Sequence, residues 1–244
     1  MSITSRQEQI LELLNENSFL TVEKLATMTY TSPSSIRRDL TKLQNLRFIE
    51  RTHGGANILN DNNQAAPYAS RMTLNISGKK KIANKASELL SNDMSIMLDG
   101  SSTASFLVPH IAKFKNIEIF TNNIHTAINA INHGIKTHCL GGDSVHNSAV
   151  LSGPQTYRMA KEIRPDILFF SSYSLDINGT ITDPSEQENY LRMLLLENTR
   201  RSIFLCDSGK FGKSSLYTLC SVNDIDIAVF DEPWNELKTK CKIL

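Results

Sequence analysis

Cysteine is scarce in this sequence, and no segment is rich in it. The four cysteines are scattered over 244 residues, and no two of them form a C-x-x-C pair. This spacing argues against a zinc ribbon and against the disulfide framework of small secreted domains. Five of the histidines (His110, His125, His133, His138 and His146) also lack the spacing of metal ligands. We therefore expect a reduced protein that needs neither a metal nor another cofactor.

Long apolar runs are missing as well. No stretch approaches the ~20 apolar residues that a membrane-spanning helix requires. Charged residues interrupt the first apolar stretch, MSITSRQEQILELL, so we expect no signal peptide. These absences predict a cytoplasmic protein without a membrane partner.

A large excess of charge of one sign is absent too. The chain has 26 Lys plus Arg against 25 Asp plus Glu, which gives a net charge of +1. This balance excludes a uniformly basic, histone-like binder of nucleic acids, although it permits a local basic patch. Because 40% of the residues are hydrophobic, the chain can bury a core and is not generally disordered.

Residues 1–57 have the pattern of three short helices followed by a small β element. The apolar positions repeat at helical spacing in each segment: Ile10, Leu13 and Leu14; Val22, Leu25 and Ala26; Ile36, Leu40 and Leu43. Ser32 can cap the third helix, and Pro33 suits its first position. A strand at 48–52 is expected to end at His53-Gly54-Gly55. Such a module is too small for the body of an enzyme.

The third helix and the strand after it form a local basic patch. Between residues 30 and 53, five basic side chains stand against two acidic ones. If the apolar positions face the core, serines and arginines lie on the outward face. We expect Ser34, Ser35 and Arg38 to contact bases, because this end of the second helix of a helix-turn-helix motif reads base edges.

The other basic side chains of the patch are expected at the DNA backbone. We assign phosphate contacts to Arg37 and Lys42 of the helix and to Arg51 and His53 of the β element after it. Asp39 is expected to restrain Lys42 or Ser35. By charge alone, a solvated basic helix in an interaction domain is an equally good interpretation.

From residue 79 onward, apolar strands alternate with helices. The strands are predicted at 95–98, 117–121, 136–140, 167–171, 202–206 and 225–230, and the helices at 79–91, 103–113, 123–133, 155–163 and 185–200. This alternation predicts an α/β domain at 79–244, with a mostly parallel sheet covered on both faces. Its ligand would lie at the carboxyl ends of the strands. Residues 58–78 are predicted to be a linker.

The run SPSSIRRDLTKLQNLRFIERTHGGA resembles the winged helix-turn-helix of the DeoR family of bacterial transcriptional regulators. The resemblance continues at Lys79, Ile82, Ala83 and Ala86, and through the segments 98–103, 121–122, 140–142, 153–154 and 207–212. It implies an effector domain with a fold like ribose-5-phosphate isomerase, which binds a phosphorylated sugar.

The residues at the strand ends suit such a ligand. Ser101, Ser102 and Thr103 follow a strand and open a helix, so they offer hydroxyls and backbone N–H groups to an anion. Lys210 is the natural cation for the phosphate or the anomeric oxygen. By spacing alone, an ordinary strand-to-helix turn and a surface ion pair are also possible.

Further polar and glycine residues complete the predicted effector site. Asp99 and Asp207 would repel a phosphate, so we expect them to accept hydrogen bonds from sugar hydroxyls or to orient Lys210. Asn122 can both donate and accept, as a polyol requires. Gly141 and Gly142 would allow the backbone to pass close to the ligand, although such a pair is usually just a turn.

Together these features predict a transcriptional regulator without catalytic residues. We expect a repressor of sugar-metabolism genes that binds double-stranded operator DNA as a homo-oligomer, because one small module contacts too few bases. The phosphorylated sugar would control its DNA binding. The alternatives are a sugar-phosphate isomerase with an appended DNA-binding module and a protein-interaction adaptor. An isomerase could use Asp176, Asp183 and Glu186 as acid–base residues, but the pattern favours Asp183 and Glu186 as residues that cap the start of the helix after them.

Overall fold

The computed structural model describes residues 4–17, 19–45, 48–58, 68–145 and 149–244. Its internal contacts divide the chain into two units, Met1–Asn75 and Ile76–Leu244. The bounds of 1–57, 58–78 and 79–244 for the folding parts remain a prediction. Among the helices that the structure describes, none is long and apolar enough to cross a membrane.

The first unit contains the predicted three helices and a three-stranded antiparallel sheet. Its elements are α1 (Ser5–Asn17), β1 (Phe19–Thr21), α2 (Val22–Met28), α3 (Pro33–Asn45), β2 (Ile49–Thr52), β3 (Gly55–Ile58) and α4 (Tyr68–Thr73). The predicted core positions of α2 and α3 are buried, which confirms the helical periodicity. In α1, Leu11 joins Ile10 and Leu14 in the core, while Leu13 packs at its edge.

The β element, which we call the wing, is larger than predicted. The sheet has the order β1-β3-β2, and Ala56 of β3 lies between Leu20 and Arg51 in register. His53 and Gly54 form a turn between two strands, and Gly54 adopts the left-handed region with φ +82°. The predicted strand 48–52 thus ends at Thr52, as expected, whereas β3 was not predicted: the glycine-containing turn sends the chain back as the second strand of a hairpin.

The second unit is built on a seven-stranded parallel sheet. Its strands are β4 (Ser95–Leu98), β5 (Glu118–Thr121), β6 (Lys136–Cys139), β9 (Ile167–Phe170), β12 (Ser202–Cys206), β14 (Ile227–Phe230) and β15 (Lys242–Ile243). The order is β15-β14-β12-β9-β4-β5-β6. The chain first adds β5 and β6 on one side of β4 and then adds β9 on the other side. The topological switch point therefore lies between β4 and β9.

Smaller strands and six helices surround this sheet. Antiparallel pairs are formed by β7 (Asp143–Ser144) with β8 (Leu151–Ser152), and by β11 (Thr180–Asp183) with β10 (Ser174–Leu175) and β13 (Tyr217–Ser221). The helices are α5 (Ile76–Ser87), α6 (Ser102–Ser105), α7 (Val108–Ile111), α8 (Ile124–Asn132), α9 (Pro154–Glu162) and α10 (Glu186–Asn198). The predicted α/β fold class is thereby confirmed.

The sheet buries both faces, as its near-continuous apolar strands predict. Alternate residues point to opposite faces. In β4, Ile96 and Leu98 join the cluster that α5, α6 and α7 cover, whereas Met97 joins the cluster under α9 and α10. A sheet covered in this way leaves only its strand ends for a ligand.

Two predicted segments were wrong in detail. The helix expected at 103–113 is two short helices, α6 and α7, because Pro109 lacks the N–H needed to continue the hydrogen-bond ladder. The expected linker 58–78 contains α4 and the first turn of α5. Residues 59–67 of that linker lie outside the described residues.

Candidate functional site

The outward face of α3 exposes the side chains that the sequence predicts there. Ser34, Arg37 and Arg38 are exposed, while Ser35 and Lys42 are half-buried. The opposite side of the helix is fully buried in the first unit. The two arginines are therefore available to a partner.

Three serines form a hydroxyl cluster at the beginning of α3. Ser32 Oγ lies 3.0 Å from both Ser34 Oγ and Ser35 Oγ, and it accepts a hydrogen bond from the Ser35 backbone N–H. Arg38 Nη2 donates to Ser35 Oγ at 3.3 Å. Because these bonds are exposed, a partner can replace them at little net cost.

The wing adds basic groups next to α3. Arg51 Nη1 donates to Thr41 Oγ1 at 3.1 Å, which joins β2 to the helix. His53 is exposed in the turn and lines a shallow hollow with Arg51 and Gln44. On α3 itself, Arg37 lies 3.5 Å from Glu23, and both side chains are more than half exposed, so this pair holds Arg37 only weakly. The structure thus brings together the predicted basic residues of helix and wing.

Asp39 has a different role from the one predicted. Its side chain is buried and accepts hydrogen bonds from Arg6 Nε at 2.6 Å and Gln7 Nε2 at 2.8 Å. The hydrogen bond with Asp39 raises the pKa of Arg6. The expectation that Asp39 restrains Lys42 or Ser35 was wrong, since the carboxylate points inward and fastens α3 to α1.

The second candidate site is the carboxyl edge of the parallel sheet, and Asp99 lies at its centre. Asp99 follows β4, beside the switch point. Its Oδ1 accepts the Ser101 N–H at 3.0 Å, and its Oδ2 accepts the Ser171 N–H at 3.3 Å and Arg192 Nε at 3.0 Å. The carboxylate thus ties the ends of β4 and β9 to α10.

Arg192 gathers three buried carboxylates. Besides Asp99, it pairs with Asp183 through Nη1 at 3.0 Å and with Glu188 through Nη2 at 2.9 Å. The Arg192 side chain is only 3% exposed. Burial lowers the pKa of Arg192, but the three negative charges outweigh burial and raise the pKa above its ordinary value. Because one cation faces three carboxylates, the net charge of this cluster is negative.

Lys210 is the second cation at this edge. Its Nζ donates to Ser171 Oγ at 2.7 Å and lies 3.5 Å from Asp207 Oδ2. Ser208, two residues earlier, is held by Asp231 through its backbone N–H at 2.7 Å and its hydroxyl at 3.1 Å. The 207–212 segment is therefore fixed at the ends of β9 and β14, with Lys210 still partly exposed.

The serine segment after β4 is less open than predicted. Ser101 Oγ accepts the Ala104 N–H at 3.2 Å, so the hydroxyl caps α6. The Ser101 N–H is already bound by Asp99, and Ser102 and Thr103 are buried. The expectation of free donors was wrong for this N–H, because a buried loop satisfies its own polar groups where it can.

Two of the predicted ligand residues do present unsatisfied atoms. Thr103 Oγ1 and Asn122 Oδ1 are buried and have no hydrogen-bond partner among the residues that the structure describes. Asn122 is held in place because its Nδ2 donates to the Leu151 carbonyl at 2.9 Å. Buried polar atoms without partners are costly, and a ligand hydroxyl is one way to satisfy them.

The glycines of this edge pack against the chain itself. A Cβ on Gly142, which has φ +113°, would lie 2.1 Å from Thr156 Oγ1 and 2.4 Å from the Ser152 carbonyl. Gly141 accepts the Thr156 hydroxyl through its carbonyl at 2.6 Å. A Cβ on Gly100 would lie 2.7 Å from Val150. Close packing within the domain therefore accounts for Gly142 without a ligand.

The Arg192 cluster was not predicted from the sequence. The predicted roles of Asp183 are a helix cap or an acid–base residue, and no role is predicted for Arg192 or Glu188 within the helix at 185–200. The i, i+4 spacing of Glu188 and Arg192 is the one local signal, but surface pairs share it. Asp176, the remaining acid–base candidate, instead holds a turn by accepting the Asn178 and Thr180 N–H groups.

The histidines provide no metal site among the described residues, and a further hollow lies away from the carboxyl edge. No group of His, Cys, Asp or Glu side chains within the described ranges has an arrangement suited to a metal. His146 lies outside the described residues. A hollow of about 440 Å³ is lined by His133, Glu118 and Lys136 at the amino ends of β5 and β6, on the opposite edge of the sheet.

Two family models match this chain. The model described as a DeoR-like helix-turn-helix domain matches residues 6–62, and the model described as a DeoR C terminal sensor domain matches residues 74–232. The first covers α3 and the wing, and the second covers the carboxyl edge of the sheet.

Curated proteins are similar over nearly their whole length. The HTH-type transcriptional regulator GolR of Listeria innocua is 31% identical over 95% of this chain and 91% of its own. The L-fucose operon activator of Haemophilus influenzae is 32% identical over 93% and 91%. The glycerol-3-phosphate regulon repressor of Escherichia coli is 25% identical over 96% and 92%.

Solved structures overlap with parts of the chain. Ribose 5-phosphate isomerase A from Methanocaldococcus jannaschii overlaps 56% of this chain and 55% of its own, with a TM-score of 0.42 and 16% identity. The chain thus spans about half the length of that isomerase. The fold class rests on the sheet order described above.

Proposed function

We propose that this chain, which belongs to the DeoR family of transcriptional regulators, represses genes of sugar metabolism under the control of a phosphorylated sugar. The observation that carries the proposal is the outward face of α3, where two arginines and a serine cluster lie exposed beside the basic wing. Its chemistry is that of a major-groove reader.

The DNA contacts divide into base contacts and backbone contacts. Ser34, Ser35 and Arg38 lie in the first turns of α3, which enter the groove, and we assign them to base edges. The phosphate contacts fall to the basic side chains around them: Arg37, Lys42, Arg51 and His53. Their charge supplies affinity, whereas the base contacts supply specificity.

The DNA-binding form is a homo-oligomer. One α3 with its wing covers few base pairs, whereas two copies related by a two-fold axis read two half-sites of one double-stranded operator. The free energies of the two half-site interactions then combine.

The effector is a phosphorylated sugar held at the carboxyl edge. Because Arg192 is committed to three carboxylates, we assign the anionic group to Lys210, the cation among the predicted effector residues. Asp99 and Asp207 suit sugar hydroxyls better than a phosphate. The other assigned contacts are Ser101, Ser102, Thr103, Asn122, Gly141 and Gly142. One relative is named for glycerol-3-phosphate, a phosphorylated polyol, and another for L-fucose, a sugar, so each name supports one part of this chemical class.

The domain acts as a sensor and not as an isomerase. A carboxylate acts as a general base only when it is free to take a proton. Asp99, Asp183 and Glu188 are instead ion-paired to Arg192 in the interior. Binding without turnover of sugar phosphates is therefore the expected behaviour.

A paired-variant experiment tests this assignment. The full-length protein is first used to select a duplex from a random-sequence pool, and a panel of phosphorylated sugars is screened by thermal shift, since binding raises apparent stability. Arg38→Ala should weaken binding to the selected duplex while leaving the thermal shift intact. Lys210→Ala should abolish the thermal shift and leave DNA binding intact.

Three results would contradict the proposal. The protein could select no duplex, it could convert the sugar phosphates it binds, or both folded variants could lose both activities. The first would favour an interaction adaptor, and the second would favour the isomerase.

A further inference from the structure

The turn between α2 and α3 has an unusual residue at its centre. The Tyr30 N–H donates to the Thr27 carbonyl at 3.3 Å, and the Thr31 N–H donates to the Ala26 carbonyl at 2.9 Å. With Thr29 as the C-cap of α2, these two bonds form a Schellman motif. Tyr30 occupies the position of this motif that adopts a left-handed conformation and is usually glycine.

Tyr30 is in that conformation, with φ +51°. Among the residues that the structure describes, the other non-glycine residues with positive φ are Asn75, Asp93 and Asn116. Asn and Asp tolerate this region, whereas a bulky aromatic residue is strained there. Tyr30 therefore stands out as a strained backbone position.

Packing does not offset this strain. The Tyr30 side chain is 97% exposed, so an aromatic ring stands in solvent where glycine would fit the backbone better. Strained backbone positions cluster at functional sites, so Tyr30 is a candidate for contact with a partner. The partner must reach a point three residues before α3.

The partner that this position meets is DNA. The first turn of α3 carries the side chains assigned to the groove, and Tyr30 lies three residues before Pro33, where that turn begins. A residue just outside the groove faces the sugar–phosphate backbone, and tyrosine hydroxyls commonly donate to phosphate oxygens. We propose that Tyr30 is a DNA-contacting residue whose phenol O–H donates a hydrogen bond to a backbone phosphate. This inference rests on the proposed function.

Two substitutions of the full-length protein test the contact. Tyr30→Phe removes the hydroxyl and retains the strain. It should weaken binding to the selected duplex about tenfold, the size of one hydrogen bond to a charged group, with an unchanged melting temperature. Tyr30→Gly should lose at least as much affinity, while its melting temperature rises by a few degrees because the left-handed strain is relieved. Stability and affinity would then move in opposite directions.

Two comparisons make the test specific. A phosphate contact does not read sequence, so Tyr30→Phe should weaken binding to a composition-matched, unselected duplex by a similar factor. Asn116→Gly, which relieves a left-handed residue in the second unit, should leave DNA affinity unchanged.

The inference is overturned if Tyr30→Phe binds like the parent, or if its loss appears on the selected duplex alone, which would indicate a base contact. A parent protein that binds no duplex overturns the proposed function together with this contact. Parent binding with unaffected Tyr30 variants overturns this contact alone.

Discussion

The outward face of α3 and the carboxyl edge of the sheet hold their polar side chains in opposite ways. On α3, Arg37 and Arg38 are exposed, and their side chains pair with a glutamate and a serine on the surface. At the sheet edge, Asp99 and Arg192 are buried and bonded to several elements at once. The donors of the α3 face are available to a partner, whereas most donors at the sheet edge already form hydrogen bonds within the domain.

The two surfaces therefore differ in what a substitution changes: binding on the α3 face, and both binding and stability at the sheet edge. A side chain on the α3 face can change without disturbing the fold, so its substitution reports on binding alone. A side chain of the Arg192 cluster stabilises the domain and shapes the site at the same time. Substitutions there mix the two effects and need a stability measurement beside every binding measurement.

The largest effect is expected for Arg192→Leu. Removing the one cation leaves three carboxylates buried without a counter-charge, which should lower the free energy of unfolding by about 3–5 kcal/mol. Urea denaturation of the full-length protein measures it. The matched control is Arg200→Leu, because Arg200 pairs with Asp166 at 3.2 Å on the surface and should cost no more than about 1 kcal/mol. Equal losses of unfolding free energy would show that the Arg192 cluster stabilises the domain no more than a surface ion pair does.

Gly142→Ala comes next. The new methyl group collides with Thr156 and with the Ser152 carbonyl at a left-handed position, so we expect a loss of about 2–4 kcal/mol from overpacking and strain combined. Gly134→Ala is the control, since Gly134 has φ +74° but no atom within 4 Å of the new Cβ. Its cost should stay near 1–2 kcal/mol, from strain alone, in the same urea titration. If Gly142→Ala lowers the free energy of unfolding no more than Gly134→Ala does, the backbone at the carboxyl edge can shift to make room, as it would for a ligand.

Asp39→Asn tests a buried charge of the first unit. The substitution weakens the hydrogen bonds from Arg6 and Gln7. The free energy of unfolding of this unit should therefore fall by about 1–3 kcal/mol, as measured from its melting transition. DNA affinity at a temperature where the unit is fully folded should be nearly unchanged, because the carboxylate faces α1. A large affinity loss in the folded variant would return Asp39 to the DNA-binding face.

The smallest effect on stability is expected for Arg37→Ala. Its exposed pair with Glu23 contributes less than about 0.5 kcal/mol, so the denaturation midpoint should not move. The variant should instead bind DNA more weakly, and the slope of log affinity against log salt should fall by about 1, as one phosphate contact is lost. An unchanged slope would remove Arg37 from the phosphate contacts.

The fold and the α3 face could largely be predicted from the sequence, and for the same reason. Helical spacing at Ile36, Leu40 and Leu43 fixes which side of α3 is buried, and this in turn places Arg37 and Arg38 outside. The parallel sheet follows in the same way from short apolar strands separated by helices. Local patterns carry this information, because each depends on neighbours a few residues away.

The carboxyl edge was less predictable because its contacts join residues far apart in the chain. Arg192 meets Asp99 from a helix 93 positions later, and no local pattern signals that pair. The small antiparallel strands were missed for a similar reason, since they are too short to show an alternation. Asp39 was misassigned because charge alone does not tell whether a carboxylate points outward or toward Arg6.

The Arg192 cluster also constrains how this protein can change over generations. Its four members come from three places in the chain, and the loss of Arg192 leaves three carboxylates without a counter-charge in the interior. Replacement of Arg192 by an uncharged residue is therefore disfavoured unless carboxylates are replaced with it. Changes in small-molecule recognition are easier at the residues around the cluster.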